Sequence, residues 1–265
     1  GVSMSLDRSA GPRSEVFTAA LWDGEFALAD WHLHLARLTE HAKLLRIELP
    51  ENMPQQLETL LQQERSLKKT TQSHEPKLLI KIKCTQDGEL SVDSRSIDFR
   101  NEEVDAITVE APRWSSKVNG TKHGDWQAYI DARHDAEKKG VDVALLVHDY
   151  AIVDADRALP VVLDEDGVAW VAAHNEGGVE SITFEILSQQ LQNAGIPVQH
   201  GRLNERLVAR ASEIITLGSG TGACRVLSLD DESIGDGNML SSLCQTLLEN
   251  HYQKNETWSD VRLLK

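Results

Sequence analysis

Positive charge is scarce in this chain: 27 lysines and arginines stand against 42 acidic residues over 265 positions, a formal net charge of −15. Nucleic-acid phosphates are held by concentrated Lys and Arg, so this balance argues against a nucleic-acid partner and against adsorption to an anionic membrane. It leaves room for a small anionic ligand, because a pocket of arginine, backbone N–H groups and helix ends can oppose the global sign. Cysteine is sparse too. Cys84, Cys224 and Cys244 are odd in number, widely spaced and outside any CxxC pair, which points to neither a disulfide framework nor a zinc site. Apolar stretches such as Val141 to Val147 are far too short to cross a bilayer, and Gly1 to Met4 carry no secretory core. No Gly-Lys-Ser/Thr Walker ending, GxGxxG fingerprint or GxSxG elbow is present, nor any internal repeat or low-complexity tract. A cytoplasmic protein is expected. The remaining composition, 40% apolar and 26% charged, is that of an ordinary globular chain, long enough for one large core or two modest ones.

The pattern along the chain is mixed α+β. Val16 to Leu21 is rich in strand formers and runs into the turn signal Asp23-Gly24. From Asp30, a plausible N-cap, Trp31, Leu35, Leu38, Ala42 and Leu45 recur at helical spacing. A second polar helix is expected from Pro54 to Lys68, then a strand from Lys77 to Cys84 turned by Asp87-Gly88 into Glu89 to Asp93. Residues 111 to 124 (APRWSSKVNGTKHG) read as a connector between an N-terminal part, 1 to 110, and a C-terminal part, 125 to 265. Asp125 is expected to cap a helix that ends at Gly140. Strands are expected at Asp142 to His148, Ala158 to Leu163 and Val168 to Ala173, and a helix from Ser181 to Ala194. A short helix near Asn204 to Ala211 and a strand at Glu213 to Leu217 lead to the glycine-rich Gly218 to Gly222.

Four places could carry chemistry. Lys122 follows the connector and precedes a helix, where the helix dipole and closure of a cleft would both disfavour its ammonium form; from position alone it reads first as a solvated surface lysine. The backbone N–H groups of Gly218 to Gly222, with Ser219 and Thr221, could hold a phosphate, as could the helix start at Ser181, Ile182 and Thr183 after Gly177-Gly178; each could also be an ordinary turn or cap. Arg37 is either a phosphate clamp or a stem covering the edge of the core. His32, His34 and His41 lack a matched carboxylate or cysteine partner, and no metal site is expected.

Together these pieces resemble the class IV family of pyridoxal-phosphate enzymes, which includes branched-chain and D-amino-acid aminotransferases and 4-amino-4-deoxychorismate lyase. The resemblance runs from about residue 15 to 245. Phe17-Thr18-Ala19-Ala20 with Asp23-Gly24 forms its opening, and His34-Leu35-Ala36-Arg37-Leu38 is similar to the family's H-L-x-R-L helix, whose arginine grips the cofactor phosphate. Lys122 stands where the family places its Schiff-base lysine. Ile152-Val153-Asp154 is similar to the V-x-E pattern that pairs with the pyridine nitrogen, with Asp154 in the glutamate's position and Leu159 where an asparagine is usual. Gly178 to Thr183 loosely matches the phosphate turn, giving Ser181, Ile182 and Thr183 that role, and Gly218-Ser219-Gly220-Thr221 matches the G-[ST]-G-T segment, giving it to Gly220 and Thr221. The resemblance implies fold type IV, with a small α/β N-terminal domain and a larger mixed-sheet, barrel-like C-terminal domain. It implies pyridoxal 5'-phosphate as cofactor, Lys122 as catalyst, a small primary-amine substrate and a homodimer.

Within the family, aminotransferases often keep an early arginine for the substrate carboxylate, and that position here is Leu21. The Phe17-Thr18 start and short hairpin look more like the lyase branch, which converts 4-amino-4-deoxychorismate to 4-aminobenzoate and pyruvate. An aminotransferase of branched-chain or D-amino acids is the alternative. A degraded homologue that only binds is a third reading, kept open by Asp154 and Leu159.

Overall fold

The computed structural model describes residues 11–67, 78–98 and 101–264. Gly1 to Met4, Lys68 and Lys77 lie outside them. The chain begins with strand β1 (Glu15–Trp22), short β2 (Ala27–Ala29), helices α1 (Trp31–Leu45) and α2 (Met53–Leu67), and the hairpin β3 (Leu78–Thr85) with β4 (Leu90–Ser96). The Asp23 carboxylate shapes the first turn by accepting the N–H groups of Glu25 and Ala27, while Gly24 takes the positive φ that glycine tolerates. β1 is almost entirely buried because it is covered on both faces. Val16, Trp22, Ile80 and Ile82 pack beneath α1 and α2, and Leu21, Leu79 and Ile97 form a second apolar layer on the other side.

The second sheet starts earlier than the expected boundary at residue 110. Strand β5 (Glu103–Glu110), which its alternating charges hide in the sequence, already belongs to it. The other members follow β5 in the chain. They are β6 (Val143–His148), β7 (Ala151–Ala155), β8 (Leu159–Asp164), β9 (Ala169–Ala172), β10 (Val198–Gly201), β11 (Leu203–Asn204), β12 (Ala211–Gly218), β13 (Gly222–Leu229) and β14 (Glu232–Ser233). β5, β6 and β13 run parallel; the stretch 111 to 124 with helix α3 (Gln127–Lys138) is therefore the crossover from β5 to β6, not a link between two sheets. The sheet curls until β7 and β11 approach β8 and β9, and α4 (Ile182–Asn193) and α6 (Met239–Gln253) cover its apolar face. A five-residue helix, α5 (Glu205–Ala209), lies beside β8 and β11. After α6 the chain returns to the first sheet, where β15 (Trp258–Asp260) pairs with β2. No helix among the described residues is long and apolar enough to cross a membrane.

Asp30 holds the N-cap position of α1 as expected, but in a left-handed conformation and without a side-chain cap, because its carboxylate accepts Nε2–H of His251 at 2.8 and 3.0 Å. Asp125 is not the cap of α3: Trp126 holds that position, and the Asp125 carboxylate accepts the Trp114 indole N–H at 3.0 Å.

Candidate active site

The stretch before α3 folds back over the gap between the sheets, and Lys122 is fixed there by its own peptide. Its N–H donates to His41 Nδ1 of α1 at 3.1 Å, and its carbonyl accepts the Phe17 N–H of β1 at 3.2 Å. The ammonium stands 4.9 Å from the Phe17 ring centre and 5.4 Å from that of Trp126. Aromatic faces favour a cation, yet burial outweighs them. Burial, and then the cation of Arg37, brings the Lys122 pKa down to about 7, with Asp154 opposing the shift. The expected helix dipole has no part in this: α3 begins only at Gln127, five residues later.

Asp154, on β7, is 4% exposed. Its Oδ2 accepts the Tyr129 hydroxyl at 2.7 Å and the Val179 N–H at 3.1 Å, and Oδ1 accepts the Ala155 N–H. Burial nevertheless raises its pKa to about 6. Close approach of the chain makes the Val179 bond possible: a β-carbon on Gly178 would stand 2.0 Å from the Val153 carbonyl oxygen, so only glycine fits there.

Arg37 projects from α1 on the same side as His34 and His41. It donates to the Thr18 hydroxyl at 3.0 Å and to the Glu180 carbonyl at 2.8 Å, immediately before Ser181. The Thr18 hydroxyl donates to His34 Nδ1 at 2.7 Å, which is open as an acceptor because burial drives the His34 pKa well below its ordinary value. Burial lowers Arg37 to about 10, leaving it charged at neutral pH. At the start of α4, Ser181 caps the helix by accepting the Phe184 N–H, Ile182 is buried, and the buried Thr183 hydroxyl has no hydrogen-bond partner. Gly220 and Thr221 sit in the hairpin between β12 and β13, with Gly220 against Leu79 and Arg95, and Gly218, at its base, against the Arg157 main-chain carbonyl. The Thr221 hydroxyl is likewise unpartnered.

Lys122, Asp154 and Arg37 are thus within electrostatic reach of one another, and Arg37 touches the segment that leads into α4. No hydrogen bond among the described residues ties Gly220 or Thr221 to that group. Tyr129 and Val179 carry no signal in the sequence, and neither the hydrogen bond of Thr18 with Arg37 nor that of His41 with the Lys122 N–H is legible there, because each partner lies in another element. Leu159, where an asparagine is usual, is 8% exposed and part of the apolar core.

A phosphate-bearing cofactor suits this donor set. The hydroxyls of Thr183 and Thr221 and Nε of Arg37 are buried without partners, a costly state unless a ligand oxygen completes it. One half-buried arginine, one desolvated lysine and one buried carboxylate face the same space.

The class IV aminotransferase model matches residues 15–229, and the chain belongs to that family. It is therefore a pyridoxal-phosphate enzyme, an aminotransferase or lyase of class IV. Among curated proteins, no sequence matches it. Solved structures share its fold. The branched-chain aminotransferase of Thermoproteus uzoniensis, solved with norvaline, is 17% identical over 94% of this chain and 90% of that one, with a TM-score of 0.77. A Legionella pneumophila protein provisionally named 4-amino-4-deoxychorismate lyase is 17% identical over 93% and 97%, with a TM-score of 0.76. A branched-chain amino acid aminotransferase from T.th., in complex with N-(5'-phosphopyridoxyl)-L-glutamate, is 18% identical over 94% and 90%, also at 0.76.

Proposed function

We propose that the chain is a lyase that cleaves 4-amino-4-deoxychorismate to 4-aminobenzoate and pyruvate, with Lys122 as the lysine that holds the cofactor covalently. The observation that carries the site reading is the Lys122 pKa of about 7, which lets one amine hold and release a proton near neutral pH. Pyridoxal phosphate, when bound, supplies an electron sink for the pair left on the substrate carbon. Lys122 Nζ takes the proton from the amine-bearing carbon, the ring carbon–oxygen bond breaks as the ring becomes aromatic, and the proton passes to the departing enolpyruvate, which leaves as pyruvate. The Asp154 carboxylate, kept in place by Tyr129 and Val179, would hold a proton on the pyridine nitrogen. Arg37, Ser181 to Thr183, Gly220 and Thr221 would hold the phosphate. The lyase is preferred to an aminotransferase because Leu21, at the early-strand position where an arginine would grip a carboxylate, is 1% exposed inside an apolar cluster. A homodimer is proposed as well, as the family resemblance implies.

Borohydride reduction followed by peptide mapping is expected to find a phosphopyridoxyl group on Lys122 and, in Lys122→Ala, on no lysine. The holoenzyme is expected to release 4-aminobenzoate and pyruvate in equal amounts. Turnover of amino-acid and keto-acid pairs alone would replace the lyase by an aminotransferase, and a label on another lysine would remove the whole reading.

A further inference from the structure

We propose that Arg95, Arg133 and Arg157 form an anion subsite beside the cofactor-binding residues, and that it selects a substrate carrying two carboxylates. The proposal rests on the reading of the site around Lys122 given above.

The three arginines come from separate elements, β4, α3 and the turn after β7. Two of them face one carboxylate. The Asp156 side chain is fully buried, and its Oδ2 lies 3.7 Å from Nε of Arg133 and 3.5 Å from Nε of Arg157. At those separations Oδ2 is left without a hydrogen bond, and so is Nε of Arg133. The other oxygen, Oδ1, is used by the Ala144 N–H. The guanidinium of Arg95 arrives from the other sheet, with Nη2 3.8 Å from where a β-carbon on Gly220 would stand. Burial and then the charge of Arg157 pull Arg95 and Arg133 below the usual arginine range, which places the three cations in one field.

An ordinary structural ion pair accounts for Asp156 with one arginine. It does not account for three. Three cations against Asp156 and Glu137, the second carboxylate that acts on Arg133, leave one positive charge uncompensated, on a chain whose total is −15. The side chains of Arg133 and Arg157 are about one-third exposed, so the cluster is open to a ligand rather than sealed in the core.

Its position ties it to the reaction. Arg133 lies four residues after Tyr129 on the same face of α3, about 6 Å along the axis. Asp156 follows Asp154 by two residues, which keeps both carboxylates on the α3 side of the sheet, roughly 7 Å apart along the chain. The hairpin bearing Thr221, with its unpartnered hydroxyl, meets the Arg95 guanidinium at Gly220 and the Arg157 main-chain carbonyl at Gly218. Guanidinium forks match carboxylates through paired N–H donors. The phosphate role is given to Arg37, the start of α4 and the Gly220-Thr221 hairpin, so the charge left on these arginines is free for a substrate carboxylate beyond the groups that those residues hold.

The test is calorimetric titration of the cofactor-loaded protein with glutarate and, separately, with valerate, two five-carbon acids that differ by one carboxylate. Neither has an amine, so neither turns over. Glutarate is expected to bind at least about tenfold more tightly. Arg133→Gln and Arg157→Gln should each abolish that preference, with the phosphopyridoxyl label still on Lys122. Arg95→Gln carries the same expectation and, as an exposed residue of the other sheet, is the variant to use if either of those fails to fold. Equal binding of the two acids, or a preference that survives all folded variants, overturns the subsite while a labelled Lys122 leaves the proposed function standing. A missing label with the glutarate preference intact does the reverse.

Discussion

Lys122 and Asp154 are held against their solution preferences in opposite directions, and burial is the first cause of both shifts. Lys122 is pulled from 10.5 to about 7, so between those values the unfolded chain binds a proton that the folded chain releases. Stability must then rise with pH across that window. Lys122→Met, which keeps the apolar stem between Phe17 and Trp126, removes the cost of a buried ammonium. The cofactor-free variant is expected to be more stable than the parent by a margin that is full below pH 7, shrinks as pH rises and is gone above about 10.5. Urea unfolding at several pH values measures it, and a margin independent of pH would mean that Lys122 is not desolvated. The position of this lysine was legible in the sequence from the order of motifs. Its environment was not: it lies between two aromatic rings rather than in a polar connector, and its shift comes from burial and Arg37 rather than a helix dipole.

At the scale of elements, α1 shows what periodicity reveals and what it hides. Trp31, Leu38, Ala42 and Leu45 bury as the helical stripe requires. The polar side, with His34, Arg37 and His41, works through partners up to 143 residues away, such as Glu180 for Arg37, and no local pattern encodes those. The same limit explains β5, whose alternating acidic residues obscure a strand fixed by parallel neighbours on both sides. It also explains Asp30 and Asp125, good cap residues diverted to tertiary partners. Arg37 joins three elements, so its loss should be felt at the cofactor more than in the fold. Arg37→Ala is expected to weaken pyridoxal-phosphate binding by about 1.5–3 kcal/mol, the scale of a hydrogen bond to a charged group, while the circular dichroism of the cofactor-free protein stays unchanged. Spectroscopic titration with the cofactor measures the loss. An unchanged affinity would move the phosphate away from α1.

Across the whole molecule, the backbone passes between the two sheets twice. The first joint is the passage from β4 to β5, and the second is the tail that follows α6. Helix α6 packs on the large sheet through Leu240, Cys244 and Leu248, and the residues after it enter the small sheet's core through Val261. The crossing point is Asp30. Its carboxylate accepts His251 Nε2–H, and its N–H donates to the Thr257 carbonyl at 2.8 Å. That arrangement also accounts for the left-handed backbone of Asp30, a conformation aspartate tolerates better than most residues but one that still needs support from its surroundings. His251→Ala leaves a buried carboxylate without its partner and is expected to cost about 1–3 kcal/mol. Because Lys122, Arg37 and Asp154 draw on both sheets, loosening this joint should lower stability and cofactor retention together. The denaturant midpoint and the cofactor off-rate, measured on one preparation, give the two quantities. A fall in midpoint without faster cofactor loss would show that the tail braces the small sheet alone and has no part in holding the site together.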